Sequence, residues 1–203
     1  MKPQTSPFGP QSIRGADPAQ VDMSRAIGAA EALLEAFGMD TSSEATKRTP
    51  ERMVSAYQEL LTPRTFDLTT FPNDEDYDEL LIQRDIAFVS LCEHHALPFT
   101  GKATVGYLPG ARIVGLSKLA RVVEMFSRRP QVQERLTKQI TTWLDDRLSP
   151  RGVGVVMRAE HTCMTLRGVQ APGTTTLTSS LRGALLSDER TRAEFFSLGG
   201  AAR

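Results

Sequence analysis

Cysteine, histidine and tryptophan are scarce in this 203-residue chain, which holds two, three and one of them. So few thiols exclude a disulfide-built scaffold. No apolar run reaches the roughly 20 residues that a membrane-spanning helix needs. The opening MKPQTSPFGPQSIRGADP lacks the apolar core of a secretory signal. The cytoplasm is therefore the expected compartment, and a disulfide between Cys92 and Cys163 is not expected there. Charge of one sign is not in excess either. The 24 Lys and Arg balance 24 Asp and Glu, which argues against a nucleic-acid or membrane partner while leaving room for a small basic pocket. What is present is ordinary for a globular protein: 40% hydrophobic and 24% charged residues.

Three regions follow from the pattern along the chain. Residues 1–16 are rich in Pro, Gly, Ser and Gln and read as a flexible tail. Residues 17–80 read as an N-terminal helical region. Asp17-Pro18 looks like a helix start, with Ile27, Ala30, Leu34 and Phe37 at helical spacing and Gly38 as the stop. Thr49-Pro50 opens a second helix, and residues 62–80 read as a loop. Residues 81–203 read as a third region, of strands and helices. Asp85–Leu91 and Gly101–Leu108 are strand-like, and Ser117 is expected to cap a helix with Leu119, Val122, Val123 and Phe126 inside. Arg129-Pro130 breaks that helix, and another follows with Val132, Leu136, Ile140, Trp143 and Leu144 on one side. Val153–Ala159 and Thr174–Leu181 are strand-like, and Glu189–Phe196 is a last short helix. This order predicts an α+β domain, an antiparallel sheet with helices on one face.

All five histidines and cysteines lie in two short segments, Cys92-Glu93-His94-His95 and His161-Thr162-Cys163. Such clustering points to a metal. Cys92 and His95 converge if the chain turns after Leu91. An extended strand would point His161 and Cys163 the same way. The natural assembly is Cys92, His95 and Cys163 on one zinc ion, with His94 and His161 beside it as general acid and base. Three protein ligands leave a position for water, the pattern of a catalytic zinc. A closed structural site, completed by His94, His161 or Glu93, is the alternative. The chain lacks the Pro-Cys-x-x-Cys element of nucleobase deaminases, which disfavours that zinc chemistry.

Between the two segments, Ser117, Lys118 and Arg121 open a helix, with Lys118 and Arg121 on one face. With Arg167 they offer positive charge to phosphates, the bland alternative being solvated surface charge. Gln133 and Glu134 begin the next helix.

Four runs, SLCEHH (90–95), GLSKLAR (115–121), RPQVQERLT (129–137) and HTCMTLRG (161–168), closely resemble the signature segments of the GTP cyclohydrolase I family. The resemblance spans roughly residues 20 to 198. It implies a tunnelling fold: antiparallel strands with paired helices, assembled as a ring-shaped homodecamer with active sites between subunits. It implies zinc on Cys92, His95 and Cys163, and proton transfer by His94 and His161. Glu134 would anchor guanine with Gln133 adjacent, Ser117 would lie near the ribose, and Lys118, Arg121 and Arg167 would hold the triphosphate. The implied reaction hydrolyses GTP at guanine C8, releases formate and gives 7,8-dihydroneopterin triphosphate, the first step of folate/pterin biosynthesis. Another tunnelling-fold enzyme acting on a pterin or deazapurine, and a non-enzymatic zinc module, are the competing readings.

Overall fold

A computed structural model describes residues 21–200. The flexible tail and the Asp17-Pro18 helix start lie outside them. The chain divides between Pro63 and Arg64 into two compact units. In the first unit, helix α1 (Met23–Ala36) is capped by Asp22, whose carboxylate accepts from the Arg25 amide at 2.9 Å. Gly38, at φ +82°, lies just past its end. Helix α2 (Thr49–Leu61) carries Pro50 in its first turn, where a missing N–H costs nothing. The two helices pack on each other.

The second unit is the α+β domain that the sequence predicts, but with the paired helices on one face and the last two helices on the other. Its main sheet runs in the order β5-β2-β3-β6-β7, from strands β2 (Leu81–Cys92), β3 (Pro98–Leu108), β5 (Pro130–Gln131), β6 (Gly152–His161) and β7 (Thr176–Gly183). Every neighbouring pair is antiparallel except β5 on β2, which is parallel. Three short strands are not among those the sequence predicts: β5, at the expected helix break, and β1 (Thr70–Pro72), inside the expected loop, which pairs with β4 (Arg112–Val114). Helices α3 (Leu116–Ser127) and α4 (Gln133–Leu148) pack on the sheet. Helix α3 starts one residue before Ser117, with Gly115 at the cap, so the expected Ser117 cap is not formed. A one-turn α5 (Thr162–Thr165) follows β6, and α6 (Ala184–Ser187) and α7 (Glu189–Gly199) close the chain.

Alternation decides which residues face which helices. Gly106 and Gly154 face α6 and α7: a Cβ on Gly154 would meet Leu181 and Leu185 at 2.8 Å and Phe195 at 3.0 Å. Their neighbours Val105, Val155 and Met157, all fully buried, face α3 and α4 instead. Helix α4 adds a polar ridge that a search for apolar spacing passes over. Gln133, Thr137 and Thr141 recur every fourth residue, are buried, and bond to β7 at Thr178 and Ser180. No helix among the described residues is long and apolar enough to cross a membrane.

Two stability predictions follow. A Cβ on Gly101 would meet the Arg158 carbonyl oxygen at 2.1 Å. Gly101→Ala should therefore destabilise by about 2 kcal/mol or more in denaturant unfolding, because β3 and β6 must separate. Arg64 grips the mostly buried Glu124 carboxylate at 2.6 and 2.7 Å and holds its pKa below the usual carboxylate range. A depressed pKa contributes stability above the unfolded value and loses it as pH falls through the folded one. Glu124→Gln should lower the melting temperature at pH 7, and the gap to the parent should close in acid.

Candidate metal centre and active site

The centre forms where β2, β3 and β6 reach one end of the sheet. Cys92 is the last residue of β2, and the chain reverses at once: the Cys92 amide donates to the Leu97 carbonyl at 2.8 Å and the Ala96 amide to the Cys92 carbonyl at 2.9 Å. Ala96 takes φ +52° to close the turn. This is the turn that the spacing of Cys92 and His95 requires. The second segment differs from expectation. β6 ends at His161, and Cys163 sits on the α5 turn rather than on an extended strand, so His161 and Cys163 do not share a strand face. The Thr162 hydroxyl, donating to the Pro98 carbonyl at 2.6 Å, pins that turn to the start of β3.

Among the described residues, Cys92, His95 and Cys163 have one ligand atom each within 4.8 Å of one another. Cys92 Sγ lies 3.7 Å from His95 Nδ1 and 4.0 Å from Cys163 Sγ. A tetrahedral ion bonding sulfur at about 2.3 Å and nitrogen at about 2.0 Å sets its ligands roughly 3.5–3.8 Å apart, so the residues fit a metal. Burial, then the neighbouring Cys92, pushes the Cys163 thiol above its ordinary pKa. Two thiolates this close repel in an empty site, and a cation between them reverses that cost.

The candidate fourth ligands are engaged or exposed. Glu93 pairs with Arg135, which keeps its pKa low. His161 Nε2 lies 2.8 Å from Gln133 Oε1, and its ring stacks on Phe99 at 4.5 Å and 7°. Burial lowers the His161 pKa, and the field of Glu134 partly opposes it. His94 is exposed; its Nδ1 is 3.9 Å from Cys92 Sγ, but it does not join the three-residue group.

The remaining expected residues separate. Ser117 and Arg121 line a concavity of about 550 Å³ with Arg64, Glu124 and Arg128, three arginines against one carboxylate. Lys118 is half-buried nearby on α3. Glu134 is exposed and lines a different concavity of about 520 Å³ with Lys138 and β7. Arg167 is exposed just beyond α5, where its charge opposes the rise of the Cys163 pKa. Gln133, by contrast, is buried and bonded within the protein.

A family model described as GTP cyclohydrolase I matches residues 26–199. The chain belongs to the GTP cyclohydrolase I family. Curated family members named GTP cyclohydrolase 1 are close over nearly their whole length. Those of Hydrogenobaculum sp. and Aquifex aeolicus are each 48% identical across 88% of this chain, covering 98% and 97% of their own. A Synechococcus sp. member is 50% identical across 93% of this chain and 82% of its own. The family's enzymes are of the type the four signature runs implied.

Sequence reasoning missed the residues that brace the centre. Gln131 pairs with Cys92 across β5 and β2, and its carbonyl accepts from the Glu93 amide at 3.1 Å. Arg135 joins the Gln131 side chain at 2.9 Å, the Pro130 carbonyl at 3.2 Å and the Glu93 carboxylate. Nothing in their spacing separates them from surface residues. Arg135→Ala should weaken divalent-metal affinity about tenfold in chelator competition, while Cys163→Ser should abolish stoichiometric binding.

Proposed function

We propose that this chain hydrolyses GTP at C8 of guanine, releases formate and yields 7,8-dihydroneopterin triphosphate, with zinc as the ion on Cys92, His95 and Cys163. The observation that carries the reading is the convergence of those three donors. Two thiolates suit zinc among the common divalent ions. When bound, the ion supplies a Lewis acid that acidifies water to near neutrality.

The chain's own residues do the rest. His161, clamped at the end of β6, moves protons at the purine nitrogens and the ribose. His94, exposed beside the thiolates, is the second proton carrier. Glu134, with Gln133 beside it, accepts two N–H bonds from the guanine edge, a pattern that adenine cannot match. Ser117 lies against the ribose. Lys118, Arg121 and Arg167 hold the triphosphate, supported by the excess of arginine over carboxylate in the Arg121 concavity.

The site is shared between copies in a ring-shaped homodecamer. Three features support this. The concavities of Arg121 and Glu134 are separate on one chain. Among the described residues, β7 ends the sheet with an open edge. Leu166, Val169, Leu177 and Leu186 stand exposed on α5's exit, β7 and α6. We place the catalytic domain in residues 81–203 and the enzyme in the cytoplasm, whose reducing conditions suit two free thiols.

Purified protein incubated with GTP should release one formate per GTP and give a fluorescent pterin after oxidation. Metal-loaded protein that leaves GTP intact would end this reading. His161→Ala should keep its metal and lose at least about a hundredfold in turnover.

A further inference from the structure

Gln133 is 1% exposed, and its polar atoms are committed inside the protein. Its amide nitrogen lies 3.1 Å from the Met157 carbonyl oxygen, 3.0 Å from the Thr176 carbonyl oxygen and 3.1 Å from Thr178 Oγ1. Main-chain carbonyls only accept hydrogen bonds. Turning the amide over would set its oxygen against two of them. The strands therefore fix which way it points, a choice that atom positions alone leave open. The hydroxyls agree. Thr137 donates to the main-chain carbonyl of Gln133 at 2.8 Å, so Thr178 donates to Thr137 at 2.6 Å and keeps lone pairs for the amide, whose two hydrogens are shared among the three acceptors.

With the nitrogen turned to the strands, Gln133 Oε1 faces His161 Nε2 at 2.8 Å. An amide oxygen cannot donate, so Nε2 carries the hydrogen. In a neutral imidazole that leaves Nδ1 bare. The stacked Phe99 ring fixes the plane of the imidazole, and the hydrogen bond fixes its rotation within that plane.

We propose that Gln133 is a positioning residue that holds His161 in the Nε2–H tautomer, so that Nδ1 is the nitrogen that takes up and returns the proton. The inference rests on the reaction proposed above. In the step, a proton passes from substrate to the Nδ1 lone pair and gives an imidazolium. Its Nε2–H stays on Gln133 Oε1, and the same Nδ1 proton later passes back to substrate. Gln133 acts through His161; the guanine edge is left to Glu134.

The test uses full-length, metal-loaded protein labelled with nitrogen-15 histidine. The chain has three histidines, and the His161 signals are those lost in His161→Asn. Solid-state nitrogen-15 spectra at a pH where the ring is neutral should show Nε2 protonated and Nδ1 bare. Gln133→Met keeps the volume and removes the amide. It should mix the tautomers and lower kcat about tenfold or more, with KM for GTP within about twofold. Parent protein with the hydrogen on Nδ1 would overturn the proposal without any variant having to fold. So would a Gln133→Met variant with an unchanged tautomer and a raised KM alone. Parent protein that shows the Nε2–H form but does not hydrolyse GTP would instead overturn the reaction assignment and leave the hold of Gln133 on the ring intact.

Discussion

The register of β2, β3 and β6 is the constraint on which everything else depends. β3 runs between the other two, pairing Leu91 with Pro98 on one side and Phe99 with His161 on the other. Those pairings bring Cys92 and Cys163, 71 residues apart in sequence, to one end of the sheet. A one-residue slip of β6 would move His161 off Phe99 and turn it to the other face. Two tight packing positions resist the slip. Gly101 lets the Arg158 backbone approach, and Gly106 and Gly154 make room for Phe195. The chemistry at the sheet's end is thus held by apolar packing farther along the same strands.

Much of this was legible in the sequence, for physical reasons. The three donors that converge stand out in the sequence because thiols and imidazoles are rare here and fall in two short segments. The helix after Thr49-Pro50 and the strand before Pro109-Gly110 show because proline and glycine constrain the backbone locally. The α+β class follows from the order of the periodic segments. Other features depend on contacts made only after folding. β1 is three residues long and is a strand only because β4 lies against it. Cys163 sits on a helical turn because Thr162 reaches the Pro98 carbonyl, a contact 64 residues distant. Ser117 looks like a cap by type, yet the helix begins one residue earlier.

The site itself was half legible. The three donors that converge, Cys92, His95 and Cys163, could be picked out by chemistry, but the residues that brace them could not. Arg135 and Gln131 look like ordinary helix and loop residues. Gln133 reads as a polar residue at a helix start, a place where solvent is the usual neighbour. Its burial against β6 and β7 comes from the packing of α4, and neither hydropathy nor spacing records it.

That packing ties the imidazole to the rim of the sheet. Two of the three groups that orient the Gln133 amide, the Thr176 carbonyl and the Thr178 hydroxyl, belong to β7, the outermost strand. The His161 ring is therefore aligned only as firmly as a strand that, among the described residues, has no partner on its far side. A chain whose rim is left bare holds its imidazole more loosely than one whose rim is capped by a neighbour.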